Sequence, residues 1–176
     1  YTLSLHDALP ISDYSGLATE YNLVILKGSE VETEYGHVLV FGVSQALTDC
    51  FDFSSIDTPL ATVLAAAKEH GAIAAPCHPG RPRVGMFAHT EELGIPADVQ
   101  IVEIYNGGSR DDEDQIAIDQ ANIQGYLGIG GSDSHIVSHV GRCATRFGRP
   151  VHNMNQLLVA LQEGDFEAVN LKATGR

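Results

Sequence analysis

The chain has 176 residues, 44% hydrophobic and 19% charged, which suits one globular domain with a real core and excludes wholesale disorder. Ten Lys and Arg against 23 Asp and Glu leave a net charge of −13, which argues against general nucleic-acid or anionic-membrane binding. No apolar run approaches the roughly 18 residues of a membrane span, and three scattered cysteines, Cys50, Cys77 and Cys143, exclude a disulfide framework or a CxxC zinc site; a cytoplasmic protein with reduced thiols is expected.

Residues 1–11, YTLSLHDALPI, resemble the translation, codon for codon, of a common short-read sequencing adapter. They are set aside as a scar, and His6 and Asp7 within them as carrying no selected chemistry. Residues 12–176 are taken as the domain. The stretch 22–27 (NLVILK) has the pattern of a buried strand ended by Gly28, and 37–43 of a second. Residues 58–70 predict a helix, with Pro59 at its start and Gly71 as its stop. A short strand at 72–75 and another at 99–105 follow, the latter closed by Asn106-Gly107-Gly108. An acidic start at 111–114 suits the dipole of a helix over 111–124. Strands at 127–129 and 142–147, a helix at 154–163 and a last strand at 166–170 complete the order. Strands alternating with helices predict α/β architecture with parallel pairing.

Histidines and carboxylates collect just after these strands, where α/β barrels build their sites. Glu30 follows the first, His37 opens the second, His78 follows the 72–75 strand in Pro76-Cys77-His78-Pro79-Gly80-Arg81-Pro82, Glu103 lies on the 99–105 strand, and Ser132-Asp133-Ser134-His135 follows 127–129. Together they point to a divalent metal held by imidazole nitrogen and carboxylate oxygen. In an extended segment Asp133 and His135 share a face and can chelate one metal or flank two; alone, they would read as a Gly-Ser-Asp turn beside a surface histidine. Glu30, Glu32 and Glu34 share one parity, so alternation does not choose among them. Arg81 and Arg83 favour a phosphate ligand, because a guanidinium is a planar donor fork; a loop salt bridge is the plain alternative for Arg81. Cys77 beside His78 is the one thiol near this chemistry, and small buried hydrophobe is the simplest reading of all three cysteines. His70, His89, His139 and His152 read as structural or surface residues.

GSEVETEYGHVLVFG, APCHPGRP, VEIYNGG and GIGGSDSH followed by VGRCATRF, in this order and spacing, resemble the PHP family (polymerase and histidinol phosphatase), in particular its stand-alone phosphoesterases. The resemblance runs from about Asn22 to Phe147. It implies a distorted parallel β/α barrel of TIM-like type whose site holds two or three divalent ions (Mn, Zn, Fe or Mg) and hydrolyses a small phosphorylated substrate. Nucleic acid enters only as a nucleotide or short oligonucleotide substrate. It also implies Glu30, His37, His78, Asp133 and His135 as metal ligands, with Glu30 bridging metals and Glu30, Asp133 and His135 as the catalytic group. Arg81 is implied as a substrate contact, and Glu103 and Asn106 as support of the site. The family's His-x-His strand and Thr-Asp-His-type segment have no counterpart here. The expectation is a domain lacking its first one or two βα units, binding metal weakly and turning over little or no substrate by itself. A polymerase-associated PHP nuclease, a non-catalytic metal-binding module and a metal-dependent amidohydrolase are the competing readings.

Overall fold

The computed structural model describes residues 15–56, 58–110 and 112–172. The adapter-like segment, with His6 and Asp7, and Asp111 of the acidic run lie outside them. A first helix, α1 (Ser15–Tyr21), leads through an irregular stretch into β1 (Gly28–Thr33), β2 (Gly36–Phe41), α2 (Gln45–Thr48), α3 (Leu60–Glu69) and β3 (Ile73–Pro76). A short 3-10 turn and α4 (Thr90–Leu93) precede β4 (Ile101–Asn106), α5 (Glu113–Gln124) and β5 (Leu127–Gly131). Then come a second 3-10 turn, β6 (Cys143–Phe147), α6 (Met154–Glu163) and β7 (Phe166–Asn170).

The α/β reading holds, but the parallel pairing holds only for β4 and β5, which are joined through α5 as a crossover requires. β1, β2 and β3 form an antiparallel sheet, and β6 pairs antiparallel with β7. The physical reason at β1–β2 is the connection: two residues, Glu34 and Tyr35, close a hairpin, and so short a link cannot join parallel strands. The Thr33 hydroxyl donates to the Gly36 carbonyl (2.7 Å) and accepts from the Tyr35 N–H (3.2 Å), which fixes the turn. Among the described residues the seven strands lie in three separate sheets rather than a closed barrel.

A second difference concerns 22–27. Residues 23–27 carry no strand, and Leu23, Val24 and Ile25 are 59%, 49% and 40% exposed. Their composition favours a strand, but a strand needs a neighbour for its backbone groups, and no described element offers one. Pairing therefore begins at Gly28, against Phe41.

Two apolar clusters hold the fold. Val31, Val38 and Val40 point to one face of the first sheet and bury against Leu47, Leu60, Val63 and Met86. The opposite face sends Leu39, Phe41, Ile73 and Ala75 into a second cluster with Ile101, Ile129, Phe147, Leu161 and Phe166. All three sheets thus turn a face to one apolar interior. Thr145 ties two of them together, accepting from the Gly130 N–H (2.9 Å) and donating to the Gly130 carbonyl (2.8 Å). Following that interior face along β2, Phe41 and Leu39 give way to His37, and along β1 the residue opposite Leu39 is Glu30. The polar chemistry therefore sits at one end of the apolar interior.

Candidate metal centre

Three of the ligands implied by the sequence meet at that end. His37 Nδ1 lies 2.7 Å from Glu30 Oε1, and His78 Nε2 lies 3.9 Å from the same oxygen. Register explains the first contact: Glu30 faces Leu39 and Glu32 faces His37, so Glu30 and His37 are diagonal neighbours on one face. The three glutamates that share parity are now separated. Glu30 faces the site, Glu32 is exposed, and Glu34 lies beyond the strand, where its carboxylate accepts the Leu60 N–H at the start of α3 (2.8 Å).

The hairpin is pinned at its tip. The His37 N–H donates to the Val84 carbonyl (3.0 Å), and the Tyr35 hydroxyl reaches the Leu93 and Gly94 carbonyls (3.0 and 3.1 Å). Gly36 makes the close approach possible: its φ is +96°, and a Cβ there would stand 2.1 Å from the Val84 oxygen.

His78 is buried and carries a φ of +34°, a conformation that L-residues with a Cβ rarely adopt. Its N–H donates to Glu103 Oε2 (2.8 Å), which also accepts from Asn106 Nδ2 (2.8 Å). Burial pushes the Glu103 carboxyl up to about 7, against the lowering effect of these two bonds. Burial likewise brings the His78 imidazole down to about 4, helped by the charges of Arg81 and His37. The hydrogen bond between Glu30 and His37 lowers the carboxyl and raises the imidazole.

Asn106 passes the network on. Its Oδ1 accepts from Arg81 Nη2 (3.1 Å) and from the Gly108 N–H (2.8 Å). The same Arg81 nitrogen donates to Asp133 Oδ2 (3.0 Å), and Arg81 Nε lies 3.8 Å from Glu113. Burial alone would raise the Asp133 carboxyl, but the Arg81 hydrogen bond and charge outweigh it and hold it low. Gly107 lets the loops after β4 and β5 touch, since a Cβ would stand 2.2 Å from the Ser132 carbonyl oxygen. His135 is set apart: its side chain is 66% exposed, and Nδ1 donates to the Asp133 carbonyl (3.0 Å). The structure therefore brings Glu30, His37 and His78 together, places Asp133 beside them but facing Arg81, and leaves His135 at the surface.

The donors suit a divalent cation. Glu30 Oε1, His78 Nε2 and two further donors, His37 and Cys77, offer the mixed oxygen, nitrogen and sulfur set of borderline metals. His78 Nδ1 is buried with no hydrogen-bond partner, an uncommon state for a buried polar atom. The Arg81–Asn106–Glu103 chain had only a partial signal in sequence: Glu103 and Asn106 read as site support, but nothing in their spacing showed that Arg81 would be their neighbour.

Comparison with known proteins bears on the fold rather than on these side chains. Residues 113–166 match the family model described as PHP-associated. The fold matches a two-domain protein from Bacteroides vulgatus containing a predicted PHP-like metal-dependent phosphoesterase, with a TM-score of 0.59 at 18% identity over 94% of this chain. In fold the chain resembles this PHP-like protein. A lesion-specific endonuclease from Pyrococcus furiosus is also similar to the chain in fold, with a TM-score of 0.57 at 17% identity over 80% of it. No curated protein matches the sequence. The chain spans 52% and 40% of the lengths of these two structures. No helix among its described residues is long and apolar enough to cross a membrane.

Proposed function

We propose that this chain is the metal-binding part of a PHP-type phosphoesterase that hydrolyses a small phosphorylated substrate with metal-activated water. The observation that carries the reading is the convergence of Glu30, His37 and His78 at the polar end of the apolar interior, 2.7 and 3.9 Å from one carboxylate oxygen. Glu30, His37 and His78 hold the metal, joined by Asp133 and His135, and Glu30, Asp133 and His135 form the catalytic group. Two or three divalent ions (Mn, Zn, Fe or Mg) complete the centre in the full protein. When bound, such ions supply a hydroxide nucleophile near neutral pH and screen the phosphate charge.

The chain's own residues prepare the site for this. Glu103 anchors the His78 backbone, and Asn106 holds Arg81 beside Asp133. Arg81, bonded to Asp133, offers a phosphate its donor fork once Asp133 turns to metal. On this reading complete turnover draws on ligands beyond these five. The −13 charge favours a small substrate over a polymerase-associated nuclease role.

Calorimetric titration with Mn²⁺ and Zn²⁺, with hydrolysis of p-nitrophenyl phosphate followed alongside, tests the proposal. Saturable binding is expected, weakened about tenfold or more in His78→Ala and Glu30→Gln, with turnover that is slight or nil. Failure of every one of Mn²⁺, Zn²⁺, Fe²⁺ and Mg²⁺ to bind would overturn the metal reading. Robust metal-dependent turnover by this chain alone would overturn the need for further ligands.

A further inference from the structure

Cys77, a nearby sulfur donor, is not one of the five ligands of the proposed centre, yet the sheet places it among them. Val38 pairs with Pro76 and Leu39 with Ala75, so the next step sets Cys77 opposite His37. The Cys77 N–H donates to the His37 carbonyl (3.1 Å), which extends the register by that step. Side-chain alternation then puts Cys77 on the face that carries His37, Leu39 and Glu30. Its Sγ lies 3.5 Å from His78 Nε2, and a Glu30 oxygen, the Cys77 sulfur and a His78 ring nitrogen all lie within 4.8 Å of one another.

The backbone of His78 gives this arrangement a purpose. A residue following Cys77 in a continued strand would point to the opposite face. The φ of +34° turns the chain back, so two consecutive side chains converge on one point. Strained backbone of this kind costs roughly 1–3 kcal/mol and persists where surrounding contacts impose it; here the His78 N–H bond to Glu103 does so. His78 itself is 5% exposed, and its Nδ1 lacks a partner.

We propose that Cys77 is a thiolate ligand of the metal centre and makes it select thiophilic divalent ions, zinc or iron(II), over magnesium and manganese. The proposal rests on the metal-site reading above and adds to it. On binding, the sulfur–metal bond forms as the S–H bond breaks, and the proton leaves to solvent. Thiolate is a soft donor, and zinc and iron hold it far better than magnesium or manganese do.

The test is cobalt(II) titration of the chain, with Cys50→Ala as the background because Cys50 is exposed. Bound cobalt shows visible ligand-field bands, and a cobalt–thiolate bond adds a near-ultraviolet charge-transfer band. The expected result is both sets of bands, with loss of the near-ultraviolet band alone in Cys77→Ser and Cys77→Ala. The same variants should lower the preference for Zn²⁺ over Mn²⁺ about tenfold or more, read by competition with a chromophoric chelator. Two variants guard against a folding defect in either one. Ligand-field bands without the near-ultraviolet band in the Cys50→Ala background would overturn the thiolate proposal and leave the metal reading standing. No cobalt bands at all, with no binding of Zn²⁺ or Mn²⁺, would overturn both.

Discussion

Glu103 shows how one side chain can set the conditions for a site it does not enter. Its Oε2 takes hydrogen bonds from the His78 N–H and from Asn106 Nδ2, and its carboxyl is raised to about 7. Between the ordinary 4.5 and about 7 the folded state therefore holds more protons at Glu103 than the unfolded state, and stability falls as pH rises. His78 runs the other way: lowered from 6.5 to about 4, it adds stability as pH rises through that span. In Glu103→Gln one amide oxygen still serves both donors, while the titration is gone. The melting temperature of the metal-free wild type, relative to that of Glu103→Gln, should fall from pH 4.5 to 7 and then level. A difference that stays constant with pH would show that Glu103 does not titrate in this window. Glu103→Ala is harsher, because it strands two buried donors, and should cost about 2 kcal/mol or more. Residue type and position after strands grouped Glu30, His37, His78 and Glu103, and the family resemblance alone implied the role of each. Sequence reasoning did not reach the pairing of Arg81 with Asp133, since residues 52 positions apart meet only through the fold. Nor could parity separate Glu30 from Glu34; the turn at Glu34–Tyr35 did.

Among the elements, the β1–β2 hairpin brings two of the proposed ligands, Glu30 and His37, into diagonal contact. Its turn depends on Gly36, where an added methyl would meet both the Val84 oxygen at 2.1 Å and a φ of +96°. Gly36→Ala should lower stability by about 2 kcal/mol in urea denaturation and weaken metal binding with it. Unchanged stability would mean that the 82–85 loop yields freely. The helices at 60–69, 113–124 and 154–163 were legible within two residues, because start and stop signals such as Pro59, the acidic run at 111–114 and Gly71 are local. Pairing direction was not. Strand–helix alternation predicts parallel neighbours only where a helix does the crossing over, as α5 does; β1 and β2 have two residues between them. The 22–27 run failed for a related reason: hydrophobic pattern gives strand character, whereas the strand itself requires an edge to pair with.

Across the molecule, that failure leaves an apolar surface. Leu17, Tyr21, Leu23, Val24 and Ile25 are all 40% exposed or more, on a helix and the irregular stretch that follows it. Contiguous apolar surface of this kind drives association. The isolated chain should form dimers or larger species in light scattering at micromolar concentration, and Leu23→Lys with Ile25→Lys should shift it towards monomer. A clean wild-type monomer would count against this. Composition anticipated a real core, but not which apolar residues stay outside it.

The pinned hairpin tip also governs how quickly the site can respond. Glu34 grips α3, Tyr35 holds the 93–94 carbonyls and the His37 backbone is bonded to Val84, so the strands bearing Glu30 and His37 have little freedom to part. In the proposed centre an arriving cation would then be met by rotation of side chains about their χ angles, a motion of picoseconds to nanoseconds, once the Glu30–His37 contact has let go. Capture would thereby be uncoupled from slower backbone rearrangement, and the lifetime of a bound ion would be set by its bonds to the ligands.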